Sequence, residues 1–300
     1  MGPLQRRELE TVTYEKQDAV ARIILNRPER ANAQNSAMVH DVEHCLDDAE
    51  EDYGIKVVLL KANGRGFCAG HDVVGTGAEG DPLPEFTAAR QAGHPWKGQA
   101  DLFLWPVLHL WEFQKPTVAA VHGYCIGGGT YFACLPDIVV AADDAVFQMP
   151  LVQGLGFPGG ETMMEPWLFM NFHRTYEYLY LAQTVDAHEA ERLGMVNRVV
   201  PRQSLDHTVE LIAAQIAEAP LSTLMATKSL VKRAWEHMGL RLHWQASTQL
   251  MELVGRAQDV VEWRQENAER GYGPPRHVAR ARAEEAAERV RRRGERPELP

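Results

Sequence analysis

The chain has 300 residues, 45% of them hydrophobic and 24% charged, with a net charge of -10 and four cysteines. This is the composition of a globular, enzyme-sized protein; it excludes a fibrous or largely disordered chain, and no apolar run approaches the roughly 18 residues that span a bilayer. The opening segment Met1-Gly-Pro-Leu-Gln-Arg-Arg-Glu8 lacks the apolar stretch of a signal peptide, and Cys45, Cys68, Cys125 and Cys134 form no CxxC pair, so reduced thiols, a cytoplasmic location and no metal are expected.

In chain order, Val12 to Tyr14 and Ala19 to Leu25 predict two short strands joined as a hairpin by Lys-Gln-Asp and ended by Asn26-Arg27-Pro28. Met38, Val42, Cys45, Leu46 and Ala49 then follow a helical period, with Ser36 as the expected cap and Gly54 as the stop. The continuous apolar run from Ile55 to Leu60 predicts a buried parallel strand. Residues 75 to 100 hold several Gly and Pro with weak periodicity and predict a long loop before a helix at about 100 to 114. Lys115-Pro116 stops that helix, Thr117 to Val121 starts another buried strand leading into Gly127-Gly128-Gly129, and Asp137 to Ala142 and Val146 to Met149 predict further strands.

This alternation predicts an α/β core over residues 1 to 203. Residues 204 to 270 follow a helical period throughout, punctuated by Pro220 and Gly239, and make a helical C-terminal region. The tail, residues 271 to 300, carries eight Arg and five Glu, which leaves the rest of the chain at -13. It reads as a helix, solvated or serving as an intersubunit arm, or as a disordered tail. The acidic body argues against nucleic acid as a partner, and a polyanionic ligand would need locally placed cations, for which Arg27, Arg30, Lys61 and Arg65 are candidates.

Two glycine-bearing turns follow two of the apolar strands: Gly64-Arg-Gly-Phe-Cys-Ala-Gly-His-Asp72 and His122-Gly-Tyr-Cys-Ile-Gly-Gly-Gly-Thr130. Glycine permits positive φ and close backbone approach, so such turns can aim peptide N–H groups at one ligand oxygen. Phosphate loops and plain tight turns use glycine in the same way, but GxxxxGK[ST] and the GxGxxG spacing are both absent.

The strings Ile24-Leu-Asn-Arg-Pro28, Phe67-Cys-Ala-Gly-His-Asp72, Lys115-Pro-Thr-Val-Ala-Ala-Val-His-Gly123 with Gly127-Gly-Gly129, and Ala187-His-Glu-Ala-Glu-Arg-Leu-Gly-Met-Val-Asn-Arg-Val-Val-Pro201 together resemble the signatures of the enoyl-CoA hydratase/isomerase (crotonase) family, in family order. The resemblance covers roughly residues 10 to 270 and implies a crotonase-like (ClpP/crotonase) ββα spiral, a helical C-terminal trimerisation region, and homotrimers or hexamers. It implies an acyl-CoA thioester as substrate, with coenzyme A entering as part of that substrate and no separate cofactor, and neither nucleic acid nor membrane as partner. The backbone N–H groups of His71 and Gly128 match the two donors of an oxyanion hole, worth several kcal/mol to a reaction through an enolate. Ala69, Gly70 and Asp72 match the stretch along the CoA moiety, and Arg27 and Arg30 are its candidate cations. On their apolar character, Leu151 and Phe157 would line the acyl end with Met149, Met163, Met164, Trp167 and Phe169, or these residues build the core. The His71 imidazole either faces the pocket or is a neutral spectator.

Departures from the family pattern matter as much. The two glutamates that hold and protonate water in family hydratases fall at Tyr131 and Leu151, and neither serves as a base at neutral pH. Gly159 stands where some isomerases place an aspartate. Ordinary hydration is therefore not expected, and a hydratase with a displaced acid, an isomerase, a decarboxylase and a non-catalytic acyl-CoA-binding protein remain open. Glu161 is the first candidate for a displaced acid or base, its other reading being a helix N-terminal acid. Tyr131 either donates a proton or packs, Glu165 is expected on a solvated face, and His122 is expected as a buried hydrogen-bonded histidine. His40-Asp-Val-Glu-His44 matches the HxxEH zinc pattern, but on the polar face of its helix, where both imidazoles would meet water.

Overall fold

The computed structural model describes residues 2–73, 76–159, 164–169 and 171–268. Glu161, Met163 and the tail 271–300 lie outside the described residues.

Ten strands and thirteen α-helices are described, in the order β1 (Gln5–Glu8), β2 (Val12–Gln17), β3 (Val20–Leu25), α1 (Ser36–Glu51), β4 (Val57–Ala62), α2 (Pro84–Gln91), α3 (Pro95–Gln99), α4 (Trp105–Glu112), β5 (Thr117–Val121), β6 (Tyr124–Ile126), α5 (Gly128–Cys134), β7 (Ile138–Ala142), β8 (Val146–Gln148), α6 (Leu151–Leu155), α7 (Glu165–Phe169), α8 (Phe172–Leu181), β9 (Thr184–Asp186), α9 (Ala187–Leu193), β10 (Arg198–Val200), α10 (Leu205–Ala217), α11 (Leu221–His237), α12 (Leu240–Val254) and α13 (Gln258–Ala268). The larger sheet runs β1-β2-β3-β4-β5-β7-β10, antiparallel over its first three strands and parallel from β3 onward. A second sheet, β6-β8-β9, carries the chain away from it.

The apolar runs of β4, β5 and β7 bury both faces, as parallel strands covered on two sides must. Val58, Leu60, Ala119 and Val121 point toward Met38, Val42, Cys45, Leu46 and Ala49 of α1. Their neighbours Val57, Leu59, Val118 and Ala120 point the other way, onto Leu205, Val209 and Ala213 of α10. Thus α10 closes the outer face of the large sheet, and packing of the core continues to about Ala217.

Two expectations are corrected. The helix at residue 36 is capped by Asn35, whose side chain accepts from the Met38 amide, while Ser36 is already its first residue and donates its hydroxyl to Glu85. The segment 75–100 is no long loop but holds α2 and α3, each opening on a proline; Pro84 and Pro95 occupy first-turn positions, where a missing N–H costs nothing, instead of breaking helices. A π-helical turn, Ala100–Leu104, joins α3 to α4. Finally, β1 is an exposed polar strand that no hydrophobic pattern marks.

In the C-terminal region Pro220 starts α11 and Gly239, at φ 88°, turns the chain into α12. The buried Lys228 ammonium of α11 lies 2.7 Å from Asp137 Oδ2 and donates to the Lys115 carbonyl at 2.7 Å, tying the helix to the start of β5 and β7. Helix α13 returns onto α6, where the Arg264 guanidinium covers the Phe157 ring and donates to the Leu155 carbonyl. Among the described residues no single helix is long and apolar enough to cross a membrane.

Candidate active site

The chain leaves β4 into the first glycine turn and β5 into the second, and the parallel sheet sets these two exits side by side. Phe67 N–H donates to the carbonyls of His122 and Tyr124, at 2.8 and 2.9 Å, and Ile126 N–H donates to the Cys68 carbonyl at 2.9 Å. Close approach then demands glycine. A Cβ on Gly123 (φ +53°) would stand 2.2 Å from the Arg65 carbonyl oxygen, and one on Gly70 (φ +91°) would stand 2.8 Å from the Ile126 oxygen and 3.2 Å from the Gly128 nitrogen. Gly128 is the first residue of α5, so its amide belongs to the first turn, whose N–H groups have no acceptor within the helix. The main chain at Gly70, just before His71, therefore abuts a helix N-terminus headed by Gly128.

Side chains complete this corner. A Cβ on Gly128 would meet His71 Nε2 at 2.6 Å and Gln34 Oε1 at 3.0 Å, so both groups converge on it. Gln34 is buried; its amide donates to Cys68 Sγ at 3.4 Å, and the same sulfur accepts from Gly70 N–H at 3.4 Å. The His71 ring stands edge-on to Phe103 of the π-helical turn, centroids 4.4 Å apart, and Phe103 in turn meets Phe86 of α2 at 5.3 Å. Burial lowers the imidazole to about 3, so it is neutral at physiological pH.

Tyr131, one helical turn past Gly128, is buried, and its hydroxyl donates to Glu165 Oε1 at 3.3 Å. Glu165 does not lie on a solvated face: it is 2% exposed, because the five-residue helix α7 turns it inward onto the phenol. Beyond Tyr131, α5 leads to a cavity of about 570 Å³ lined by Cys134, Leu135, Met164, Trp167, Trp235 and Leu240. Leu151 opens α6 and packs against the main core, and Phe157 lies under Arg264. Met149 and Phe169 are buried.

On the other side of the His71 turn, Asp72 is 5% exposed and forms an ion pair with Arg27 at 2.7 Å, with Arg30 at 3.6 Å. Ala69 N–H donates to the Ala31 carbonyl, and Arg27, Arg30, Ser36, Asp72, Asp81 and Pro84 border a cavity of about 430 Å³. Lys61 is turned to the opposite face, paired with Asp206 at 2.8 Å. Arg65 is exposed. His122 is buried with Nε2 3.2 Å from the Gly64 carbonyl, and burial lowers its pKa. His40 and His44 are both exposed, and His40 faces Glu43 and Glu85; among the described residues no group of three or more His, Cys, Asp or Glu side chains is arranged to hold a metal ion. Gln34 and Phe103 escape a reading of the sequence, because each joins the site through tertiary contact alone.

The family described as enoyl-CoA hydratase/isomerase matches residues 15–272. A probable enoyl-CoA hydratase of Mycobacterium bovis is 30% identical over 228 residues, 76% of this chain and 83% of that protein. The hydroxycinnamoyl-CoA hydratase-lyase of Pseudomonas fluorescens is 29% identical over 227 residues, covering 75% of this chain and 79% of the other. Among solved structures, a probable enoyl-CoA hydratase from Mycobacterium smegmatis superposes with a TM-score of 0.76 at 33% identity, over 85% of this chain and 98% of its own. An enoyl-CoA hydratase/isomerase from Xanthobacter autotrophicus Py2 does so at 0.75 and 29%, over 92% and 98%. The α/β core with its helical C-terminal region is thus the crotonase fold, and the chain belongs to the enoyl-CoA hydratase/isomerase family.

Proposed function

We propose that this chain is an enzyme that binds an acyl-CoA thioester with its carbonyl oxygen between the amides of His71 and Gly128 and reacts through the resulting enolate. One observation supports this reading: the backbone of Gly70, the residue before His71, is packed against the first amide of α5, with a Cβ position of Gly70 only 3.2 Å from the Gly128 nitrogen. A helix N-terminus adds its dipole to those amides, so negative charge arising on a thioester oxygen is favoured there.

The absence of carboxylates at Tyr131 and Leu151 disfavours ordinary addition of water and leaves isomerisation, decarboxylation or hydration through a displaced acid. Glu161, outside the described residues, is kept as a displaced acid or base. For the CoA portion, the cavity beside Arg27, Arg30 and Asp72 supports a path along Ala69 and Gly70. The apolar packing around Leu151 suits a bulky hydrophobic acyl group, with the Phe157 ring, under Arg264, kept as a further lining residue. Exposed Leu230, Leu242, Leu250 and Leu253 on α11 and α12 support assembly as a homotrimer or a hexamer, and the free cysteines Cys45, Cys68, Cys125 and Cys134 suit the cytoplasm.

The test is incubation with a panel of crotonyl-, 3-enoyl-, dienoyl- and malonyl-type CoA thioesters, followed by product masses. Turnover of at least one by isomerisation, lyase cleavage or decarboxylation, with hydration of crotonyl-CoA slower, is the expected result. Tight binding without product on any of them, or crotonyl-CoA hydration as the fastest reaction, contradicts it.

A further inference from the structure

We propose that Tyr131 and Glu165 form the proton relay of this site: the phenol faces the Cα–H of the bound thioester, and the carboxylate behind it is the final base. This rests on the enolate reading above and names a proton acceptor among the described residues.

The argument starts from α5. Residues three apart share one helix face, so Tyr131 stands on the face of α5 that begins at Gly128. Its hydroxyl is 3.3 Å from Glu165 Oε1, and both residues are almost wholly buried, at 1% and 2% exposure. A carboxylate seldom enters an apolar core without a task or a partner. Here it enters beside the one helix whose first amide heads the glycine corner.

Two groups beside Glu165 do not compete with it for the proton. Cys134 is pushed up to about 12 by burial and by the Glu165 charge, and Tyr178 is held well above the ordinary phenol value by the same two causes. Both therefore stay protonated at neutral pH.

The transfer balances without another reactant. The Cα proton passes to Tyr131 Oη as the phenolic proton passes to Glu165 Oε1. The C–H electron pair becomes the enolate, whose charge rests on the thioester oxygen between the two amides. Tyrosine ends neutral and the carboxylate becomes a carboxylic acid, and the reverse movement returns a proton to the substrate.

Deuterium wash-in tests the pair. Hexanoyl-CoA is incubated with the full chain in deuterated buffer, and incorporation at Cα is followed by mass, alongside the Kd for the same thioester. The wild type should exchange, and Tyr131→Phe, which keeps the ring and its packing, and Glu165→Gln should each slow exchange by about 100-fold or more with Kd within about twofold. The pH dependence of the remaining exchange should also be lost in Glu165→Gln, a change that a purely structural role would not produce. Exchange within about threefold of wild type in both variants overturns the relay and leaves the enolate reading standing. A wild type that binds hexanoyl-CoA and never exchanges overturns both.

Discussion

The Arg27 guanidinium reaches Asp72 Oδ2 at 2.7 Å and the Ala33 carbonyl at 2.9 Å, so the segment after β3 is clamped to the residue that follows His71. Asp72 is nearly buried, and its own amide donates to the Gln34 carbonyl at 2.9 Å. Two stretches forty-five residues apart thereby hold one turn in place. Removing one partner of a buried pair strands the other charge, so Arg27→Ala should cost about 3 kcal/mol in chemical denaturation. Arg30→Ala, whose side chain is 53% exposed, should cost less than about 1 kcal/mol. Equal losses would contradict this division of roles.

Glycine substitutions should separate stability from activity. Gly123→Ala drives a methyl to 2.2 Å from the Arg65 carbonyl at positive φ, a backbone clash that no side-chain movement relieves. Its melting temperature should fall sharply. At Gly128 the methyl meets side chains, His71 and Gln34, at negative φ. Gly128→Ala should therefore fold, yet lose about 100-fold or more in turnover as the amide corner is blocked. Full activity in Gly128→Ala, measured by product formation, would remove that corner from the mechanism.

The histidine at this corner gives a signed pH effect. His71 is lowered to about 3 in the folded chain from an ordinary 6.5, and burial is the cause. Between those values the unfolded chain binds the extra proton, so stability falls as pH drops from about 6.5 toward 3, by at most about 1.4 kcal/mol per unit. His71→Phe removes this term. Denaturation midpoints between pH 6 and 4 should then fall less steeply in the variant, by about 1 kcal/mol per unit. Parallel slopes would mean that the imidazole takes up a proton in the folded protein.

The C-terminal helices depend on one buried ammonium. Lys228 bridges Asp137 and the Lys115 carbonyl from within the core, and Asp137 also accepts from the Thr117 amide at 2.8 Å. Lys228→Ala should cost about 3 kcal/mol, read by denaturation, because Asp137 loses its counter-charge and the Lys115 carbonyl its ammonium donor. A loss below about 0.5 kcal/mol would make the contact incidental.

Much of this architecture is legible in the sequence where burial follows a period. The run expected at 55–60 becomes a strand two residues later, Val57–Ala62, while the run at 117–121, the strand ending at Leu25 and the helical face of α1 fall where their pattern puts them. The pattern fails where burial is not the cause. Strand β1 pairs through its backbone while its side chains are exposed, and Pro84 and Pro95 start helices that composition alone reads as loop. In the site, the glycine turns are visible because their chemistry is local. The convergence of Gln34 and His71 on Gly128 is not, since it depends on how separate segments cross. Glu165 was expected in water for a related reason: one short helix carries no period long enough to tell which side faces inward.

The account stands on polarisation of a thioester carbonyl by the His71 and Gly128 amides, and isotope-edited infrared spectroscopy reads that directly. Hexanoyl-CoA labelled with carbon-13 at the thioester carbonyl is added to the protein, and the difference spectrum between labelled and unlabelled ligand isolates one stretching band. Two convergent N–H donors should move that band of the bound ligand to lower frequency than in free hexanoyl-CoA, with the shift much reduced in Gly128→Ala. A bound thioester whose carbonyl band coincides with that of the free molecule would contradict the account.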